Sequence, residues 1–211
     1  MRMIIIAAFA TALSLPSFAD SLERHLRERG QAPGGYLLAK TDQHRIVIAG
    51  ESHWQRADAE LIRDLVPELR TRNVALAMEV LDAATQADID ALLAAPAWDA
   101  ALANRIMRAG DWPYVQYRDI LQRAWEANRA SDGPRMKIIA LGPPDDWREK
   151  KIRYDAFMAD LVAKHLAEEG ARLLVFCGMH HAFTRFQQID RMRNGRPGEF
   201  MERMGNILWR R

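Results

Sequence analysis

The segment Arg45-Ile46-Val47-Ile48-Ala49-Gly50-Glu51-Ser52-His53 constrains the fold more than any other part of the chain. An apolar, largely β-branched run leading into a glycine predicts a parallel strand buried on both faces and closed by a tight turn. That turn presents a carboxylate and an imidazole. Arg172-Leu173-Leu174-Val175-Phe176-Cys177-Gly178-Met179-His180-His181 repeats the pattern of apolar strand, glycine, two residues and histidine. Ligands of open α/β sheets sit outside the carboxyl ends of the strands, so His53 and His181 are expected to converge there.

The chain has 211 residues, 49% of them hydrophobic and 27% charged, enough for one α/β domain with a substantial core. That domain is expected over residues 20–211. Arg2, the apolar or small run from Ile4 to Leu15, and Pro16-Ser17-Phe18-Ala19 read as a secretory signal over residues 1–19. The run is shorter than the roughly 20 residues a membrane span needs. The mature chain is therefore expected to be periplasmic or secreted, with no transmembrane span.

Removing residues 1–19 leaves 29 basic residues against 28 acidic ones. Near-neutral charge gives no reason to expect a nucleic-acid partner. Seven arginines do fall between Ala182 and Arg211, opposed by Asp190, Glu199 and Glu202, and read as a solvated basic tail. Cys177, the sole cysteine, has no partner for an internal disulfide and follows four apolar strand residues. It is expected to be a small buried hydrophobe, not a nucleophile.

In chain order, Asp20 to Arg29 predicts a short amphipathic helix ended by Gly30, while Tyr36–Ala39 is too short to assign to strand or helix. Ala59, Leu61, Ile62, Leu65, Val66 and Leu69 form one helical stripe, with Pro67 weakening its last turn. Val74–Met78 reads as a strand delivering Glu79. Ala83–Ala94 reads as a helix capped by Asp82, and Ala97–Ala109 as another. Asp111 and Pro113 predict the cap and first turn of a helix through Tyr117, Ile120, Leu121 and Trp125. A strand at Met136–Leu141 precedes a long helix, Trp147–Glu169, closed by Gly170. Beyond His181 the pattern predicts a helix over Thr184–Arg193, a turn at Asn194–Gly198, a helix over Glu199–Met204 and an edge strand over Asn206–Trp209. Four strands joined by helical crossovers imply a mostly parallel, doubly wound sheet flanked by helices.

Glu51, His53, Glu79 and His181 all fall at or just past strand ends. Imidazoles with carboxylates suit zinc, manganese, cobalt or iron. The chemistry expected of this set is a divalent transition metal held by His53, Glu79 and His181, with Glu51 as base for a metal-bound water. Each residue also has a plain structural role open to it: a satisfied polar group for the histidines, and a helix-terminus charge for Glu51. An extended backbone would turn His180 away from His181, and the glycine spacing favours His181 as the one facing the site. His44 and His165 read as surface residues, and Arg63 and Arg185 as solvated charges. Tyr114 and Tyr117 share a helix face near Trp112, as core packing or cleft lining.

Gly50-Glu51-Ser52-His53, the later Gly178-Met179-His180-His181, and Met78-Glu79 followed by Gln86 resemble the Tiki superfamily. Within it the chain is most similar to ChaN-like haem-binding uptake proteins, and more distantly to the erythromycin esterase type. The resemblance runs from about Val47 to Ala182 and includes Trp112-Pro113-Tyr114. It implies an α/β fold with a site built from these histidines and glutamates. Some relatives are metal-dependent proteases or esterases, while the ChaN-like branch is associated with haem or iron acquisition and is often lipid-anchored. This chain has no cysteine after its apolar run to carry a lipid. For haem, Tyr114, Tyr117, His180 and His181 are the available axial ligands. The expected function is a metal-dependent, hydrolase-like site acting on a small molecule. The alternatives are a non-enzymatic haem or iron binder and a degenerate scaffold with a partner-binding role.

Overall fold

The structure, a computed structural model, describes residues 18–130, 132–189 and 200–211. The chain divides into two units, Met1–Ala32 and Pro33–Arg211. The described part of the first is helix α1 (Phe18–Arg29), where Arg27 and Glu23 pair one turn apart. The expected signal sequence, apart from its last two positions, lies outside the described residues. No helix among the described residues is long and apolar enough to cross a membrane.

The second unit starts with helix α2 (Pro33–Gln43), which settles the unassigned stretch at Tyr36–Ala39. Strands and helices then alternate: β1 (Ile46–Glu51), α3 (Arg56–Thr71), β2 (Ala75–Asp82), α4 (Gln86–Ala94), α5 (Ala100–Arg108), α6 (Val115–Ala130), β3 (Ile138–Gly142), α7 (Tyr154–Leu166) and β4 (Leu173–Gly178). A two-stranded antiparallel pair, β5 (Gln188–Ile189) with β6 (Phe200–Met201), and helix α8 (Met204–Arg210) follow. The four long strands pair in parallel in the order β1-β4-β2-β3.

That order explains the layers. The steps β1 to β2 and β2 to β3 run toward one edge, whereas β3 to β4 runs back. Right-handed crossovers in opposite directions must lie on opposite faces of a sheet. One face accordingly buries Leu76, Met78, Ile138, Leu174 and Phe176 beneath α3 to α6. The other buries Ala75, Ala77, Val175 and Cys177 beneath α7 and α8. Each Leu, Ile or Met fully buried in these layers contributes about 1.5–3 kcal/mol. This is the expected parallel α/β architecture.

Several elements differ from expectation. Because β4 inserts between β1 and β2, β1 is an edge strand and Ile46 to Ala49 are half-buried; β2 and β4 are the strands buried throughout. Pro67 lies within α3 without ending it. Asp111 and Pro113 do not start α6, because the Tyr114 amide donates to the Trp112 carbonyl (2.8 Å) in a tight turn before Val115. The long helix expected from Trp147 is broken: Asp145–Trp147 is a single 3-10 turn, Lys151 takes a left-handed φ of 53°, and α7 starts only at Tyr154.

The carboxyl-terminal expectations fail most. Residues 184–187 form no helix and Gln188–Ile189 is a strand, while 190–199, including the whole of the expected turn, lie outside the described residues. Phe200–Met201 is strand where a helix was expected, and Asn206–Trp209 is helix where a strand was expected. Three apolar residues, Ile207 to Trp209, have no distinguishable period. Their helix is decided by Asn206, whose Oδ1 accepts from the Arg203 amide at 2.9 Å.

Leu121, fully buried between α6 and the sheet, tests the larger layer. Leu121→Ala is expected to lose about 2–5 kcal/mol in urea unfolding while keeping the far-ultraviolet dichroism of the native fold.

Candidate functional site

Side chains alternate along a strand, and this sends Glu51, the last residue of β1, and Glu79, inside a β2 that runs three residues further than expected to Asp82, to opposite faces. Val47 and Ala49 of β1 pack with the α3–α6 layer, so Glu51 points there; Ala75 and Ala77 of β2 pack with the α7 layer, so Glu79 points to that side. The site is thus two carboxylate–imidazole pairs, one on each face, meeting at the carboxyl ends of β1, β4 and β2.

On the first face the Glu51 side chain is wholly buried. The Tyr117 hydroxyl from α6 lies 2.9 Å from both of its oxygens, and Nδ1 of His53 lies 3.1 Å from Oε1. A carboxylate accepts, so the proton of neutral His53 sits on Nδ1 and Nε2 keeps its lone pair. Trp112 stacks on the imidazole at 4.0 Å between ring centres and 11° between planes. Burial and the adjacent Glu51 carboxylate push the Tyr117 phenol far above its usual range, so it remains a donor.

On the second face Glu79 accepts from the Gly178 amide at 2.6 Å and from the Tyr154 hydroxyl at 3.1 Å. Nε2 of His181 lies 3.1 Å from the same carboxylate, and its Nδ1 lies 2.6 Å from Asp155. Burial alone would lower the imidazole pKa, but hydrogen bonds from Asp155 and Glu79 outweigh it and raise His181 to about 9. At neutral pH His181 is an imidazolium donating at both nitrogens. For Glu79, burial acts upward, yet the His181 hydrogen bond and charge hold its carboxyl below the ordinary value. Asp155 is held low for the same reasons, with the Met204 amide and Arg203 adding to the effect. Burial also drives the Tyr154 phenol up, with the Glu79 charge next in effect.

Gly178 is where the faces meet. A Cβ there would lie 2.6 Å from Nε2 of His53 and 3.5 Å from Oε2 of Glu79, so only glycine admits both side chains. Glu51 and Gly178 are register partners, which brings the strand ends level. A groove of about 310 Å³ runs along this rim, lined by Glu51, His53, Trp54, Gly178, Met179, His180 and His181. A second, of about 260 Å³, shares His53 and Trp54 and continues past Tyr114 and Tyr117. A smaller hollow of about 100 Å³, lined by Arg70, Lys137 and Arg172, lies at the other end of the sheet and contains none of these residues.

All four of the strand-end residues named from sequence therefore gather at one rim. His181 turns inward and His180 outward, but through a 3-10 turn at Met179–Ala182, not an extended segment. Cys177 is buried and its thiol is pushed well up by burial, leaving it inert. Sequence reasoning missed Trp112, Tyr154, Asp155 and Arg203. Asp155 lay inside a stretch read as one continuous helix, so no local signal marked it as a site residue.

The donors present do not suit a metal held by His53, Glu79 and His181. Both nitrogens of His181 already face carboxylates, Glu79 at Nε2 and Asp155 at Nδ1. Among the described residues no group of three or more His, Cys, Asp and Glu is arranged to hold a metal ion. For haem the rim fits better than the interior. Tyr117 is buried against Glu51, and His181 is committed at both nitrogens. His180 and Tyr114 are exposed at the grooves, beside Trp54 (81% exposed) and Met179 (47%), which could lie against a macrocycle.

These features define an α/β protein with an imidazole–carboxylate centre at its strand ends. Residues 37–154 match the family model described as haem-binding uptake, Tiki superfamily, ChaN, and the chain belongs to that family. Comparison with curated protein sequences found no match. Among solved structures the chain is similar to the type III effector HopBA1, at 16% identity and a TM-score of 0.56, over 74% of this chain and 76% of that one. It is also similar to the Pasteurella multocida toxin, whose carboxyl-terminal region is described as having a thiol-protease-like catalytic triad, at 16% identity and a TM-score of 0.52. A third is RRSP, a MARTX toxin effector domain from Vibrio vulnificus, at 16% identity and a TM-score of 0.50. The matches cover 72% and 79% of this chain but only 21% and 34% of those two, and all three likenesses are of fold alone.

Two measurements check the site's energetics. Tyr117→Phe leaves the buried Glu51 carboxylate short of a donor and is expected to cost about 1–3 kcal/mol in chemical unfolding. The pH dependence has two limbs. The raised pKa of His181 makes its contribution complete below the ordinary imidazole value and lost as pH rises through about 9. The lowered pKa values of Glu79 and Asp155 make theirs present above the ordinary carboxylate range and lost as pH falls below it. Melting temperature is expected to fall on both sides of neutrality, and His181→Gln to flatten the alkaline limb.

Proposed function

We propose that the strand-end site is an acid–base centre for hydrolysis of a small-molecule ligand, within the haem-binding uptake family. In this reading Nε2 of His53 accepts the proton of an attacking water at the groove. The His181 imidazolium, whose two N–H groups stay on Glu79 and Asp155, places a positive charge at the rim that stabilises the negative charge developing on the substrate. Glu51, expected from sequence to be the base, instead orients His53: its carboxylate is buried and already accepts from Tyr117 and His53. The observation that carries the proposal is the contact of His53 Nδ1 with buried Glu51, which leaves Nε2 beside Gly178 at the groove. No step in this reading runs through a metal.

A second reading, a haem or iron binder, is favoured by the exposed Trp54, Met179, Tyr114 and His180 around the same grooves. Haem would be held there by His180 or Tyr114, and its iron would supply ligand exchange. Export to the periplasm or beyond is proposed with either reading, and rests on the leader-like residues 1–19.

One preparation of the full chain separates the two. Hydrolysis of a panel of small esters and amides is expected to fall by about 10²–10⁴-fold in His53→Ala. The wild-type rate is expected to decline as pH rises through about 9, where His181 loses its proton. No hydrolysis, together with a Soret band on haem titration that disappears in a His180→Ala, Tyr114→Phe double variant, would replace the first reading with the second.

A further inference from the structure

The carboxyl-terminal helix packs on the loop that carries the site's histidines. Asn206 is 3% exposed, and its Nδ2 donates to the carbonyls of Thr184 (2.9 Å) and Phe186 (3.0 Å). Gly205 lies so close to that loop that a Cβ would come within 2.5 Å of the Phe183 carbonyl oxygen. Arg203 adds a bond from Nε to Gln188 at 2.8 Å. The turn bearing His180 and His181 is thus braced by α8 from one side and by β4 from the other.

Asp155 joins this brace to the chemistry. Its Oδ1 accepts from Nδ1 of His181 at 2.6 Å and from the Met204 amide, in the first turn of α8, at 2.7 Å. Its Oδ2 lies 3.4 Å from Nη1 of Arg203. One oxygen therefore ends the chain from Glu79 through His181 and also satisfies an amide at a helix start that has no partner within its own helix. The groups facing His181 are Glu79 from β2 and Asp155 and Tyr154 from α7, with Tyr154 stacked at 5.4 Å; Arg203 acts only through Asp155. The family match ends at residue 154, so Asp155, His181 and α8 all follow it.

We propose that Asp155 is a positioning residue through which the docked carboxyl-terminal helix holds His181 in the site. The catalytic meaning of this depends on the acid–base reading above, but the contact and its test do not. When α8 docks, the Met204 amide and Arg203 fix the Asp155 carboxylate. The fixed carboxylate then holds the imidazole ring in line with Glu79.

The test is nuclear magnetic resonance on the isotope-labelled full chain, following the His181 and His53 rings against pH and the exchange of the Met204 amide. Asp155→Ala removes both acceptor roles. Asp155→Asn keeps an oxygen for the amide but loses the charge. Both variants are expected to move His181 titration from about 9 down by a unit or more, leaving the His53 signals unchanged. Asp155→Ala is expected to speed Met204 exchange at least tenfold, and Asp155→Asn to restore much of the protection. Unmoved His181 titration in both variants, or unmoved Met204 exchange in Asp155→Ala, overturns the proposal. Asn206→Ala, checked for folding by circular dichroism, is expected to give a smaller fall in His181 titration. If it does not fold, the Asp155 pair alone decides. A fall in titration without any ester or amide hydrolysis would leave this inference standing and remove the acid–base reading.

Discussion

A carboxylate as deeply enclosed as that of Glu79, 3% exposed near the middle of a sheet, has to be met by donors, because an ion out of water without them costs several kcal/mol. The fold meets it three times: with the Gly178 amide from the neighbouring strand, the Tyr154 hydroxyl from α7, and the His181 ring from the turn after β4. Each donor comes from a different element. Satisfying one side chain therefore pins the end of β4, the start of α7 and the site turn together, and the imidazolium between Glu79 and Asp155 follows from it. The charge of His181 is a consequence of its two carboxylate partners, which outweigh the opposing effect of burial.

Glu51 repeats this logic on the other face. It too is enclosed, and it too is met by a tyrosine hydroxyl and an imidazole, but here the ring is engaged at one nitrogen only. The contrast gives the two histidines different properties although both follow a strand-ending glycine. His181 has two carboxylate partners and carries a proton at neutral pH; His53 has one, at Nδ1, and its Nε2 lies beside Gly178. Two titratable groups set apart by their surroundings are what acid–base chemistry at one pH requires. The absence of a side chain at Gly178 lets the pairs approach across the sheet.

The family match, residues 37–154, contains Glu51, His53, Glu79, Tyr117 and Tyr154, that is, the whole first pair and the acceptor of the second. The imidazole of the second pair and its outer carboxylate come from later in the chain. The solved structures resembling this chain share the sheet and its flanking helices at 16% identity, a level at which a scaffold is common and a site need not be. Function here has to be argued from the rim of the sheet and its grooves.

What the sequence determined by itself was what local patterning can encode. Apolar runs ended by glycine specified the parallel strands, and the rule that sites lie beyond strand carboxyl ends was enough to gather Glu51, His53, Glu79 and His181 at one rim. The amphipathic stripes of α3, α4 and α6 were legible because a single buried face imposes a helical period. Tertiary structure decided the rest. Strand order made β1 an edge, a left-handed Lys151 moved the start of α7 to Tyr154, and contacts with the site loop made the last residues a helix. It also decided the roles. Glu51 came to accept from a tyrosine 66 positions away, and His181 became an imidazolium through acids 26 and 102 positions before it. Local sequence sets the period and ends of each element, but a protonation state is set by the groups that burial brings within 3 Å, and these are distant along the chain.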